Sequence, residues 1–144
     1  MNDVFAATSF GVGDSRYFRP KVGHPGRVPL DVLIPDPGQP RKHFNEAELR
    51  ALAATMRKEN GGEQRDIVTV RELTEQERRE HPSSVWFVLV GGERRWRAAP
   101  LAKLADLEVR VKSYKNRAEI MLDMFMLNEN RVGLSDIENA NYLA

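Results

Sequence analysis

The sequence contains no cysteine, and this absence excludes several classes of chemistry. Disulfide-stabilised scaffolds, thiolate metal sites and cysteine nucleophiles all require a residue that the chain does not have. Histidine is scarce as well, because His24, His43 and His81 lie far apart and form no His-x3-His pair. A zinc hydrolase is therefore not expected.

Long apolar runs and an excess of charge of one sign are also missing. The longest apolar run, Val85–Val90, is far shorter than the ~20 residues that span a bilayer. The N-terminus lacks the apolar core of a signal peptide, so we expect a soluble, cytoplasmic protein without a membrane anchor. Lys and Arg number 22 against 21 Asp and Glu, so the net charge of +1 argues against a histone-like polycation. Any anion site must therefore arise from local placement of charge.

The 144 residues suit one compact domain, which we divide into three segments. Residues 1–27 contain several glycines and prolines without a periodic apolar pattern, which predicts a flexible leader, either a solvated tail or a docking arm for a partner. The domain proper is expected over residues 28–134. In residues 135–144, Ser135 and Glu138 form a capping box that begins a helix, and this helix is expected to lead out of the domain.

The hydrophobic pattern predicts several short strands and helices that follow one another along the chain. The Val85–Val90 strand is apolar throughout and is expected to be central. Strands are predicted at Val28–Ile34, Asp66–Glu72, Val85–Val90 and Leu107–Val111. Helices are predicted from Asn45 to about Asn60, from Glu93 to about Ala105 and from Arg117 to about Arg131, with a short helix or hairpin between Thr74 and Ser84.

A glycine pair between the strongest strand and a helix is the most informative motif. Gly91 and Gly92 allow a tight turn and let an anion approach the backbone N–H groups. Glu93, Arg94 and Arg95 follow, and an arginine guanidinium can bind two phosphate oxygens at once. The motif predicts a phosphate site, and the alternative is a solvated, charged helix face.

Two other polar segments could contribute to the same site. Gln39 and Arg41 lie on a turn that is stiffened by prolines. Asn128 and Arg131 are three residues apart and share a helix face with an apolar stripe formed by Met121, Met124 and Phe125. Polar groups that continue a buried stripe need partners, which a ligand could supply. The methionines themselves are interpreted as core residues.

Three of these segments together resemble the N-terminal domain of the ParB and KorB partition proteins. The residues that carry the resemblance are Gln39-Pro-Arg-Lys42, Gly92-Glu-Arg-Arg-Trp-Arg-Ala98 and the stretch 127–140, which occur in the family's order. The resemblance covers residues 28–144. It implies an α+β fold, a small mixed β-sheet with flanking helices, in a domain that binds CTP with Mg²⁺. The nucleotide-binding residues that it implies are Gln39, Arg41, Gly91, Gly92, Glu93, Arg94, Arg95, Asn128 and Arg131.

The resemblance also implies a function for the longer protein. In the family, CTP closes a dimeric clamp on DNA, and a helix-turn-helix domain that follows reads the DNA site. By this resemblance we expect a homodimer associated with the nucleoid or a plasmid, and a ParA-type ATPase that docks on residues 1–27. Two alternatives stay open. One is an enzyme of the same fold, an amino-acid kinase or nuclease, and the other is an adaptor that no longer binds nucleotide.

Two departures from the family pattern affect the expected chemistry. The segment Gly62-Glu-Gln64-Arg65 lacks the family's proline, and a gap-free alignment places Leu127 where the family has glutamate. Pairing Glu129 and Asn130 with the family's Glu-Asn instead would require deleting two residues within a helix, a rotation of about 200°. We therefore prefer the gap-free alignment.

Loss of a carboxylate weakens Mg²⁺ binding, because this ion prefers oxygen ligands that carry negative charge. The expected protein is thus a weak CTPase, or one that binds CTP without hydrolysing it. The candidate metal ligands are Asn128 and Glu129, and the candidate catalytic carboxylates are Glu93 and Glu129.

Overall fold

The structure, a computed structural model, describes residues 17–41, 43–57 and 67–128. In this part of the chain the strands are β1 (Pro25–Pro29), β2 (Leu33–Pro35), β3 (Val68–Glu72), β4 (Phe87–Gly91) and β5 (Asp106–Val111). The helices are α1 (Glu46–Met56), α2 (Glu75–Glu80), α3 (Glu93–Ala98) and α4 (117–128). This arrangement confirms the predicted α+β class with a mixed sheet and flanking helices.

The sheet has the strand order β1-β5-β3-β4-β2 and must be curled. Strand pairs β1–β5 and β3–β4 are antiparallel, whereas β3–β5 and β2–β4 are parallel. Strands β1 and β2 lie on opposite edges, although only the 3-10 helix Leu30–Val32 connects them. In a flat sheet these edges would be about 19 Å apart, and a 3-10 turn that rises about 2 Å per residue cannot span that distance.

The continuous strand predicted at Val28–Ile34 is therefore wrong. Pro29 ends β1 with φ −63°, and the Leu33 N–H donates to the Leu30 carbonyl to close the 3-10 turn. The apolar residues on both sides of the turn are buried because each edge strand packs on the same core. An alternating apolar pattern cannot distinguish one strand from two short strands that are separated by a turn.

Other predicted boundaries also differ from the structure; α1, for example, ends at Met56 rather than near Asn60. Helix α3 ends at Ala98 rather than near Ala105, and turns replace the helix where Pro100 supplies no N–H. Residues 25–27 belong to β1, although the sequence assigns them to the leader. Contacts to β5 hold this region, since Tyr17 Oη donates to Asp106 Oδ2 at 2.7 Å and Arg27 Nε to Asp106 Oδ1 at 2.9 Å.

The core lies between the curled sheet and helices α1 and α3. Strand β4 is buried along its whole length and pairs with β3 and β2, as expected for an interior strand. Helix α1 begins after an N-cap, because the Asn45 side chain accepts a hydrogen bond from the Glu48 N–H at 3.1 Å. No helix within the described ranges is long and apolar enough to cross a membrane.

Helix α4 packs on the sheet through a different face from the one predicted. Met124 and Ile120 are buried against Val90, and Leu127 packs beside them. Phe125, which the sequence assigns to the buried stripe, is 56% exposed, and Met121 is also exposed. The i, i+3, i+4 spacing leaves more than one apolar face available when methionine and leucine surround a helix, so only tertiary packing selects one.

Candidate functional site

The turn between β4 and α3 forms the centre of the candidate site. Gly92 is the N-cap of α3 and has φ +96°, a left-handed conformation that glycine adopts without steric cost. Glu93 and Arg95 are buried, and Arg94 is half-buried. The predicted glycine turn and its acidic and basic residues therefore lie where a buried strand enters a helix.

Gly92 is also held close to β3. A Cβ built on Gly92 would lie 2.9 Å from Val68 Cγ2 and 3.3 Å from Val68 Cα. Because the second of these is a backbone atom, the contact cannot be relieved by a side-chain rotation. Both the backbone conformation and the close approach therefore require glycine here.

We expect Gly92→Ala to destabilise the domain much more than Gly23→Ala, a matched control. Gly23 also has a positive φ, +87°, but a Cβ there would meet no atom within 4 Å. Gly23→Ala should cost about 1 kcal/mol from backbone strain alone, and Gly92→Ala about 3 kcal/mol because steric overlap is added. Urea unfolding of both variants measures this difference, and equal losses would show that the Val68 contact is unimportant.

Through Arg97, Glu93 is connected to the aromatic ring of Phe44. Its Oε2 accepts hydrogen bonds from Arg97 Nε at 2.9 Å and Nη2 at 2.8 Å. The Arg97 guanidinium lies 4.4 Å from the centre of the Phe44 ring, and the Arg41 guanidinium lies 5.7 Å from the same centre. Phe44 thus holds two cations by cation–π contacts and connects the Gln39–Arg41 turn to the glycine turn.

The other carboxylate oxygen of Glu93 is available to bind a ligand. Within the described part of the structure, Glu93 Oε1 is buried and has no hydrogen-bond partner. A buried carboxylate oxygen without a partner is costly unless a ligand, ion or water satisfies it. Glu93 is therefore the described carboxylate that could contact a metal ion or a bound ligand at this turn.

The amide side chains from the two other predicted segments meet directly. Asn128 Nδ2 donates to Gln39 Oε1 at 3.0 Å, and the Arg41 N–H donates to the same oxygen at 3.3 Å. Gln39 is buried, so this pairing satisfies a group that would otherwise be costly in the interior. Two segments that are 89 residues apart in the sequence are thus brought together, as the predicted site requires.

Leu127 lies directly on the glycine turn. A Cβ built on Gly91 would lie 2.6 Å from Leu127 Cδ1 and 3.1 Å from Leu127 Cβ. The end of α4 therefore covers the turn with an apolar side chain. Position 127 is close enough to Gly91 for a longer polar side chain there to approach whatever the turn binds.

A buried carboxylate that the sequence interpretation missed stabilises the turn that carries Gln39. Asp36 accepts hydrogen bonds from Arg71, Arg117 and the Gly38 N–H. Burial alone would raise the pKa of the Asp36 carboxyl, but the hydrogen bonds from Arg117, Gly38 and Arg71 outweigh it and lower the pKa below its ordinary value. Hydrogen bonds from Arg71 also lower the pKa of Glu77 to about 2, against partial burial. In the sequence, no local signal marks the ion pairs of Asp36, because its arginine partners are 35 and 81 residues away.

Some predicted site residues lie outside the described residues. They are Lys42, the segment 62–65, Glu129, Asn130, Arg131, Ser135 and Glu138. Among the described residues there is no group of three or more His, Asp and Glu side chains that could hold a metal ion. Of the two predicted metal ligands, Asn128 lies within the described residues and Glu129 lies outside them.

Comparisons with known proteins agree on one family. Residues 21–130 match the family model described as the ParB N-terminal domain. The chromosome-partitioning protein Spo0J of Thermus thermophilus is 36% identical over 114 residues, which are 79% of this chain and 37% of that protein. The chromosome-partitioning protein ParB of Caulobacter vibrioides is 30% identical over 140 residues, which are 97% of this chain and 40% of that protein. The chain thus spans about two fifths of the length of these curated relatives.

Solved structures show the same fold. A C-terminally truncated ParB from Caulobacter crescentus, complexed with CTP-γ-S, matches with a TM-score of 0.57 and 26% identity over 72% of this chain and 52% of that one. The truncated ParB from the same organism, complexed to the centromeric parS site, matches with a TM-score of 0.54 and 24% identity over 71% of this chain and 46% of that one.

Proposed function

This chain belongs to the ParB family, and we propose that its N-terminal domain binds CTP at the turn between β4 and α3. The observation that carries the proposal is the convergence of three separate segments on this turn. Arg94 follows Gly92 at the turn, Leu127 covers Gly91, and Asn128 binds Gln39. The relative whose crystal structure contains CTP-γ-S shares this fold and 26% of aligned residues, which supports a nucleotide as the ligand.

The phosphates are the part of the nucleotide that these residues suit best. Backbone N–H groups at the start of α3 and the guanidinium of Arg94 can donate to phosphate oxygens, and Arg95 adds a second positive charge. Helix α3 has only six residues, so the arginines contribute more to the attraction than the helix dipole does. Gln39, Arg41 and Asn128 supply further donors beside the turn.

Glu93 fits a role in holding Mg²⁺ together with the phosphates. Its buried Oε1 has no partner in the described region, and Mg²⁺ is commonly bound by one or two carboxylates plus substrate phosphates. The ion would neutralise phosphate charge. With leucine at position 127, the end of α4 that covers the turn offers no carboxylate there, so we propose that hydrolysis of CTP is weak or absent.

We expect Leu127→Glu to increase CTP hydrolysis by about tenfold or more, a difference of about 1.4 kcal/mol in the barrier. The new carboxylate would lie beside Gly91 and strengthen binding of the metal ion in the reactive complex. Leu127→Gln is the matched control, because it has the same size and polarity without the charge and should leave the rate unchanged. Phosphate release with Mg²⁺ and CTP measures the effect. Rapid hydrolysis by the wild type that is lost in Glu129→Gln would instead support the alternative alignment.

For the full-length protein we propose a CTP-controlled DNA clamp in partition or repression. One relative is complexed to a centromeric DNA site, and this chain covers less than half of that relative. A helix-turn-helix domain that follows this domain would read the DNA site. The protein would act as a homodimer in the bacterial cytoplasm. Residues 1–27 would dock a ParA-type ATPase.

An adaptor that has lost nucleotide binding is the second candidate, and one observation favours it. An apolar side chain, Leu127, covers the glycine turn where the family has glutamate. Thermal unfolding of the domain with CTP, ATP, GTP or UTP and Mg²⁺ separates the candidates. An increase in Tm with CTP alone supports the proposed function, an increase with ATP supports a kinase-like enzyme, and no increase with any nucleotide supports the adaptor.

A further inference from the structure

An ion pair between a buried carboxylate and a half-exposed arginine connects helix α4 to the turn that carries Gln39. Asp36, whose side chain has no exposed surface, accepts hydrogen bonds from Arg117 Nη1 at 2.9 Å and Nη2 at 2.6 Å. This two-point pairing of a guanidinium with a carboxylate fixes both distance and orientation. On the other side, Arg71 Nη2 donates to Asp36 at 3.0 Å and binds both oxygens of Glu77, which stabilises Asp36 within the fold.

The same turn contacts α4 at its first residue and again at Asn128, the last residue that the structure describes. Arg117 is the first residue of α4 and binds Asp36, whereas Asn128 lies eleven residues later, about 16 Å along the helix, and binds Gln39. Between these contacts the chain passes close to α4 at Gly38, where a Cβ would overlap the Arg117 guanidinium. The position of the helix relative to the turn is therefore fixed by two contacts, the Arg117–Asp36 ion pair and the neutral Asn128–Gln39 hydrogen bond.

Only one of these contacts belongs to the proposed nucleotide site. Gln39 and Asn128 would touch the ligand, whereas Arg117 binds Asp36 and its side chain is 48% exposed. If Arg117 is changed, Asp36 keeps its hydrogen bonds to Arg71 and the Gly38 N–H, so the buried carboxylate is not left without partners. The two-point contact of Arg117 with this carboxylate restricts how α4 lies on the turn.

We propose that Arg117 is a positioning residue for the nucleotide site, which acts by clamping α4 to Asp36 so that Asn128 and Gln39 stay in register. This role rests on the proposed function. The Asp36–Arg117 clamp organises the two amides before the nucleotide arrives, so less ordering is required on binding. Without the clamp, α4 would shift relative to the turn, and the amides would be misplaced although neither is altered.

The test is CTP binding by an Arg117→Met variant, which keeps a long side chain but removes the charge. We expect the Kd for CTP with Mg²⁺ to rise about fivefold or more, and the Tm to fall less than in an Asp36→Ala variant, because Asp36 keeps Arg71 as a partner. Arg117→Lys restores the charge with one contact in place of two and should recover part of the affinity. Arg50→Met is the matched control, because it removes the exposed Arg50–Glu46 pair on α1 and should leave the Kd unchanged.

A double-mutant cycle with Asn128→Ala identifies the route of the effect. If Arg117 acts through the Asn128–Gln39 contact, the double variant should bind CTP no more weakly than the weaker single variant. Additive losses would overturn the proposed route. Equal Kd values for Arg117→Met, Arg50→Met and the wild type would overturn the positioning role of Arg117 while leaving the proposed function intact. Absence of nucleotide binding by the wild type would instead overturn the proposed function, and with it the positioning role of Arg117.

Discussion

Replacing Arg94 with alanine is expected to weaken CTP binding about tenfold to a hundredfold. A hydrogen bond to a charged group contributes about 1.5–3 kcal/mol, and each 1.4 kcal/mol corresponds to about a factor of ten in affinity. Arg94 is half-buried at the start of α3, directly after the glycine turn, where its guanidinium can bind phosphate oxygens with little reorganisation. Isothermal titration with CTP and Mg²⁺ measures the change.

The matched control for Arg94→Ala is Arg110→Ala. Arg110 is an exposed arginine on β5, so its removal changes the net charge by the same amount without altering the turn. Similar Kd values for the two variants would show that Arg94 acts only through overall charge. Arg94 is preferred to Arg95 for this test because Arg95 is buried, and its loss would affect folding as well as binding.

Replacing Asp36 with alanine is expected to lower the free energy of unfolding by about 3–5 kcal/mol, the usual cost of removing one partner from a buried ion pair. The variant leaves Arg71 buried with only Glu77 as its anionic partner, and it leaves Arg117 without its carboxylate. It also removes the hydrogen bond that caps the Gly38 N–H. Urea unfolding monitored by tryptophan fluorescence measures the loss.

The matched control for Asp36→Ala is Glu46→Ala, which removes an exposed carboxylate from the Glu46–Arg50 pair and should change stability little. The effect of Asp36 should also depend on pH. Because its pKa in the folded state is below the ordinary value of 3.8, its contribution is present above pH 3.8 and is lost as the pH falls through the folded-state pKa. A stability difference that is the same for both variants, or that does not shrink in acid, would contradict this account.

The structural features behind these predictions differ in how far the sequence alone could predict them. The glycine turn, the arginines after it and the Asn45 cap were predictable because each involves residues within a few positions of one another. The resemblance to ParB proteins rests on short motifs of this kind, and the family match over residues 21–130 confirms it. The two-strand arrangement around Leu30–Val32 was not predictable, because it follows from the curl of the whole sheet.

By itself, therefore, the sequence determined most of the helices and strands, the family and the residue types at the candidate site. Only the tertiary structure decided which side chains meet: Asn128 with Gln39, Leu127 with Gly91, and Arg117 with Asp36. The physical reason is that local patterns specify a helix or strand but leave its rotation and neighbours open. Those are set when distant segments bury their apolar faces together and must satisfy the polar groups that they enclose.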